Sequence, residues 1–145
     1  MYHYTDGGLA NVWLANGYQV HPTPFGQGVS FHGLEGLTQA ICLALTQKAG
    51  TLSGVELRYI RSAGMLLSQP ALGQLMGVDG QHVARWEKSG KVPRWADKLA
   101  RLLYAAHAEG GTPIRCAAER VKPVGRPVER RIVLKEKAGH WEPVA

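Results

Sequence analysis

The side chains that could do chemistry fall into two sets. The first is N-terminal: the acids Asp6 and Glu35, the histidines His3, His21 and His32, and the thiol of Cys42. Catalysis needs a nucleophile or an acid–base pair held in a pocket, and these residues compose neither a Ser-His-Asp arrangement nor a carboxylate pair. The three histidines and Cys42 match no metal-ligand spacing, and neither Cys42 nor Cys116 belongs to a CxxC pair. No enzyme class and no cofactor is expected. The second set lies between residues 68 and 94: Ser68, Gln69, Gln81, His82, Arg85, Lys88, Lys91 and Arg94. Hydrogen-bond donors and positive charge gathered in one stretch suit a polyanionic partner.

The charge distribution points the same way. The chain carries +6, but residues 1–53 hold one base and two acids, for a net −1. Residues 54–108 hold eight bases and four acids, and residues 109–145 eight and five, so the excess is +4 and +3. A basic region beside a near-neutral one gives each a different partner: nucleic acid for the first, protein for the second.

Helical signals must position the polar set. Ser68 is a good N-cap, and Pro70 falls in the first turn, where its missing N–H matters least. Leu72, Leu75 and Met76 supply an apolar stripe, and Gly77 suits a left-handed stop. Asp79 caps a second helix that turns Val83 and Trp86 inward, with Gly90 as its end. Gln81 and Arg85 are then one turn apart on the outer face. Two short helices joined by a tight turn make a helix-turn-helix, and small Gly73 suits their crossing. A helix over 54–61, with Leu57 and Ile60 inward, precedes it. Another follows from Pro93, with Leu99, Leu102, Leu103 and Ala106 inward, so the helical region covers 53–108. Trp86 and Trp95 are read as core, and Glu87 as a structural partner, since it would repel phosphates.

The flanks read differently. Residues 11–14 and 18–21 enclose Asn16-Gly17, a hairpin signal, with Pro22 and Pro24 ending the second strand and a short third strand at 29–31. Tyr2 and Tyr4 suit strand packing. Leu34, Leu37, Thr38, Ile41 and Leu45 give a helix over 34–48 with Gly50 as its stop. Residues 1–52 are thus a β-rich region, and the fold class is α+β. Residues 109–145 read as a linker rich in Gly and Pro, with Arg115, Arg120, Lys122, Arg126, Arg130 and Arg131 as solvated bases. Its close, 131–135 and then Gly139-His140-Trp141, reads as a terminal strand on the N-terminal sheet or as a loose basic tail, the strand being favoured because Ile132, Leu134 and Trp141 are expensive to leave in water.

With 45% hydrophobic and 19% charged residues, the composition supports a packed core. No apolar run approaches the ~20 residues that span a bilayer, and the start lacks the regions of a signal peptide. The expectation is a soluble cytoplasmic protein with reduced thiols and no membrane partner.

Residues 54–107, above all LSQPALGQLMGVDGQHVARWEKSG, resemble the Cro and phage-repressor (Xre) type of helix-turn-helix, which implies a four-helix, λ-repressor-like domain. Two positions depart from that pattern: Gly73, where alanine is usual, at a helix cost of roughly 1 kcal/mol, and Gly80, where a base-reading side chain is frequent. The whole chain also resembles the MqsA family of antitoxins, through YHYTDGGLANVWLANGY, LTQAICLALTQKAGTLSGVELRYIR and the terminal Gly-x-Trp. It lacks that family's zinc-binding cysteine pairs. The resemblance implies that the helix starting after Asp79 enters the major groove, with Gly80, Gln81 and His82 at its opening. Gln81 would pair with adenine and Arg85 with guanine. Ser68 and Gln69 would meet a phosphate, and Lys88, Lys91 and Arg94 would grip the backbone. It further implies a homodimer on double-stranded DNA acting as an autorepressor, and the near-neutral N-terminal region is the expected dimer surface. The competing readings are an antitoxin with a toxin partner, and a protein-interaction module that binds no DNA.

Overall fold

The computed structural model describes residues 1–108, 110 and 131–144. Strands β1 (Tyr2–Tyr4), β2 (Val12–Leu14), β3 (Tyr18–Thr23) and β4 (Gly26–Phe31) lead into α1 (Leu34–Thr46). Then come α2 (Gly54–Tyr59), α3 (Gln69–Met76), α4 (Gly80–Ser89) and α5 (Arg94–Ala108), and the described chain closes with β5 (Ile132–Lys137) and β6 (His140–Pro143). A 3-10 turn at Asp6–Gly8 follows β1, and a π-helical turn at Ile60–Gly64 extends α2. The class is α+β, with five α-helices and two small sheets among the described residues. No helix among them is long and apolar enough to cross a membrane.

The first sheet has the order β1-β2-β5-β6, and its central pair, β2 and β5, is parallel. The two ends of the chain therefore meet in one sheet. Val12, Leu14 and Leu134 are fully buried along that pairing; each such side chain removed from water contributes roughly 1.5–3 kcal/mol. Trp141 is buried behind it and donates its indole N–H to the carbonyl of His32 at 2.7 Å.

The hairpin expected between residues 11–14 and 18–21 does not form. The edge of β2 that it would use belongs to β5, and the Ala15 N–H continues that pairing to the Leu134 carbonyl at 2.6 Å. The Asn16 side chain is bound to the backbone of Glu136. Gly17, at φ 80°, rests against the Trp141 ring, where a Cβ would come within 2.3 Å. The Asn-Gly bend thus throws the chain out of the sheet. β3 pairs with β4 instead, in a separate two-stranded ribbon. Pro22 does not end β3: in a two-stranded ribbon a proline can face open solvent without breaking a ladder. The ribbon's base packs on β1, with Tyr18 and Phe31 at 5.2 and 5.6 Å from the Tyr2 ring.

In α1 the stripe Leu37, Ile41 and Leu45 is fully buried, while Leu34 at the helix start is half exposed. α5 corrects a second expectation. Its buried residues are Ala96, Asp97, Ala100, Arg101, Tyr104 and Ala105; Leu99 and Leu103 pack against the core half-buried, as expected, while Leu102 and Ala106 are half-buried outside it. The helix is rotated because Arg101 must lie under the end of α1. Its guanidinium donates to the carbonyls of Thr46 (3.2 Å), Lys48 (2.6 Å) and Gly50. Arg101 also donates from Nη2 to Asp97 Oδ1 at 3.4 Å, and its Nε lies 3.2 Å from Asp97 Oδ2, completing a buried ion pair. Asp97 Oδ1 accepts the Leu52 N–H at 2.6 Å. Both side chains are fully buried. A third correction concerns Trp95, which is 49% exposed and meets the buried Trp86 edge to face at 5.5 Å.

The bases Arg115, Arg120, Lys122, Arg126 and Arg130, the expected linker and Cys116 lie outside the described residues. Arg131 stacks over the Trp13 ring at 4.2 Å. One buried cluster runs without a break from Tyr4 and Leu14 through Ile41 and Leu72 to Ala100 and Leu134.

Breaking the Arg101 clamp is the sharpest test of this packing. Arg101→Met leaves Asp97 charged in the core and three carbonyls without donors, and should cost about 3–5 kcal/mol in urea unfolding. A cost near zero would show that the clamp does not hold α1 to α5.

Candidate nucleic-acid interface

Local capping sets the ends of α3 and α4. The Ser68 hydroxyl accepts the Ala71 N–H at 3.1 Å, and Pro70 sits in the first turn. Gly77, at φ 79°, stops α3 and turns the chain through Val78, whose N–H bonds to the Gly73 carbonyl at 2.9 Å. Asp79 caps α4: one carboxylate oxygen takes the His82 N–H at 3.1 Å and lies 2.9 Å from His82 Nδ1. The side-chain contact with His82, then its backbone N–H, hold the Asp79 carboxyl below the usual range. Gly90, at φ 74°, ends α4.

The two helices touch backbone to backbone. A Cβ on Gly73 would sit 2.7 Å from the Val78 carbonyl oxygen, and one on Gly80 would sit 2.9 Å from Pro70 N. Gly73 against the turn and Gly80 against the start of α3 therefore both lie where the two chain segments pass too close for a methyl. Gly80 is half-buried in this contact, so at that position the outer face of α4 offers main chain only.

Leu72 and Val83 are fully buried beneath the crossing, and Trp86 nearly so. A salt bridge fixes the rotation of α4. Arg61, in the π-helical turn, grips Glu87 with two bonds of 2.7 and 3.0 Å and donates a third, of 2.8 Å, to the Leu67 carbonyl. The Gln69 amide also donates to Glu87, at 3.0 Å. Both charged side chains are about nine-tenths buried. Forked Arg–carboxylate pairs are strong and directional, so this one ties the turn after α2, the entry to α3 and the last turn of α4 together.

Gln81 and Arg85 are exposed, one turn apart on α4, on the face opposite Val83. Lys88, Lys91 and Arg94 are exposed beyond them. Among the described residues none of these five side chains has a hydrogen bond or an ion pair, so all five are open to a ligand. His82 is half-buried between the Asp79 cap and the edge of Trp86, at 6.2 Å from that ring. Ser68 is exposed but committed to its cap, and Gln69 spends its amide on Glu87. Gly80 and Gln69 thus support the outer face, while Gln81 and Arg85 form it.

No family model, curated protein or solved structure matches the chain.

Two features escaped the sequence reading. The partner of Glu87 is Arg61, far off in the chain; the only local hint was an acid inside a basic stretch. Arg58 is exposed on α2 beside the cleft formed by Ser68, Gln69 and Lys88. The N-terminal histidines and Cys42 are not gathered. His3 stacks on Trp13 at 4.3 Å and bonds to the Ala10 carbonyl. Cys42 is fully buried beside Tyr104, and burial pushes its thiol up to about 12. Among the described residues no three of His, Cys, Asp and Glu stand together.

The Asp79 cap has a definite pH signature. A carboxyl held low in the folded state stabilises the fold above its ordinary value, and that contribution is lost as pH falls through the lowered one. The His82 amide proton, followed by NMR, should therefore shift on acidification below the ordinary carboxylate range. The Ala71 amide, capped by the uncharged Ser68 hydroxyl, should not respond at that pH. A His82 amide that stays in place would contradict the cap.

Proposed function

We propose that this protein is a cytoplasmic, sequence-specific DNA-binding regulator whose λ-repressor-like helix-turn-helix is formed by α3 and α4. One observation carries the reading: Gln81 and Arg85 are exposed and unpartnered one turn apart on α4, while Val83, Trp86 and Glu87 anchor the same helix from behind. An amide and a guanidinium at that spacing suit the planar donor–acceptor edges of adenine and guanine. Lys88, Lys91 and Arg94 continue from this face and suit phosphates, which position without reading sequence.

A single short helix reads too few base pairs to select one genomic site, so the functional unit is a homodimer. Its contact falls on the β3–β4 ribbon. Residues 18–31 contain no Lys, Arg, Asp or Glu, so two copies can approach there without the repulsion their basic regions would create. Phe25 at the tip is fully exposed, and Val20 is half exposed. An isolated two-stranded ribbon is marginal in water, and covering it in a dimer removes that liability. A dimer seated on its own promoter blocks polymerase by occupancy and needs no cofactor.

The test is selection of genomic fragments by the purified protein, followed by sequencing. The expected product is an inverted repeat with half-sites about one helical turn apart; recovery of unrelated sequences would count against the reading. Arg85→Ala should then bind more weakly and lose discrimination at one base pair, by about 1–3 kcal/mol. Specificity unchanged in that variant would remove Arg85 from the reading face.

A further inference from the structure

We infer that a second site, between the N-terminal layer and the helices, binds a small zwitterion with an apolar body, of the α-amino acid class. A cavity of about 480 Å³ lies where the 3-10 turn, the start of α1 and the α2–π segment converge, within the roughly 300–1,000 Å³ usual for small-ligand sites. Two walls are apolar or bare: the exposed side of Leu34 with Ala63, and the Gly7-Gly8 backbone, which is laid against the Tyr59 ring and Val55.

The charges define the ligand. Asp6 and Arg58 line the same cavity, both exposed, and neither has a hydrogen bond or an ion pair among the described residues. A pure anion would meet the Asp6 carboxylate, and a pure cation the Arg58 guanidinium. A molecule bearing both charges satisfies both, with its carboxylate on the Arg58 fork and its ammonium on Asp6. The hydroxyls of Tyr4, Tyr59, Thr38 and Ser62 also line the cavity. Burial pushes both phenols up, and they are engaged with each other and with Thr38, so the charged pair rather than these hydroxyls selects the ligand.

The position gives such a ligand a route to DNA affinity. Arg58, Tyr59, Ser62 and Ala63 flank Arg61, whose salt bridge orients α4. Ser62 and Ala63 belong to the widened turn that Arg58 and Tyr59 lead into, closed by the Met65 N–H on the Ile60 carbonyl at 2.9 Å, of a kind that recurs at functional sites. An occupant presses on the segment that holds Glu87. This coupling, though not the site itself, rests on the DNA-binding reading above, and it is reciprocal: whatever the ligand does to DNA affinity, DNA does to ligand affinity.

Calorimetry on the full chain without DNA tests the site. The probes are L-leucine and L-phenylalanine at millimolar concentration, against 4-methylpentanoate and isoamylamine, which lack the ammonium and the carboxylate. At least one amino acid should bind, and each analogue should bind on the order of tenfold more weakly, the loss of one charge-assisted contact. Asp6→Asn and Arg58→Gln should each weaken the amino acid similarly. Both residues are exposed, so the unfolding midpoint should stay put and report intact folding. No binding by either amino acid, equal binding by an analogue, or full binding by both variants overturns the site. Binding with no change in affinity for the selected duplex overturns the coupling alone. Binding by a protein that retains no duplex leaves the site standing and removes the DNA reading.

Discussion

The forked contact between Arg61 and Glu87 is the constraint on which the arrangement of the outer helices depends. Four groups meet there: the guanidinium, the carboxylate, the Gln69 amide and the Leu67 carbonyl. They come from three stretches, the turn after α2, the entry to α3 and the last turn of α4, so fixing them fixes α3 and α4 relative to α2. The pair is largely buried, and buried pairs are seldom a net source of stability against an apolar replacement. Its value here is directional. Apolar packing of Val83 and Trp86 alone would allow α4 to roll, whereas a two-pronged bond to Glu87 admits one rotation, the one that leaves Gln81 and Arg85 outside.

A second buried charge does comparable work on the inner side. Arg101 takes up three carbonyls at and beyond the end of α1 and returns its charge to Asp97, which itself holds the Leu52 N–H. Replacing that pair by apolar side chains would strand those backbone groups, so the usual argument that a hydrophobic isostere does as well does not transfer. The clamp and the parallel pairing of β2 with β5 unite the N-terminal layer, the helices and the end of the chain around one core.

Much of the outer region was legible because its signals are local. Ser68, Gly77, Asp79 and Gly90 each act on backbone groups within four residues, and all four occupy the expected cap or stop. The inward positions of Val83 and Trp86 followed from helical spacing alone. The misreadings have the opposite origin. Asn16-Gly17 is a strong hairpin signal, but the edge it would pair is taken by a strand more than a hundred residues later. The leucines of α5 gave a credible stripe, yet a buried arginine with backbone partners at and beyond the end of α1 decided its rotation. Trp95 looked like core by spacing and stands half outside, because Trp86 already fills the position behind it. Gly73 and Gly80 looked like unrelated departures, but both answer to close backbone approach, Gly73 to the turn and Gly80 to the start of α3.

The central claim, that the face continuing from Gln81 and Arg85 neutralises nucleic-acid phosphates, is tested most directly by the salt dependence of affinity for duplex DNA. With Lys88, Lys91 and Arg94 as the phosphate contacts, the logarithm of affinity should fall linearly with that of salt, with a slope of roughly −3 per protomer at about 0.9 per phosphate neutralised. An affinity indifferent to salt, or no association with duplex even at low ionic strength, would contradict the account.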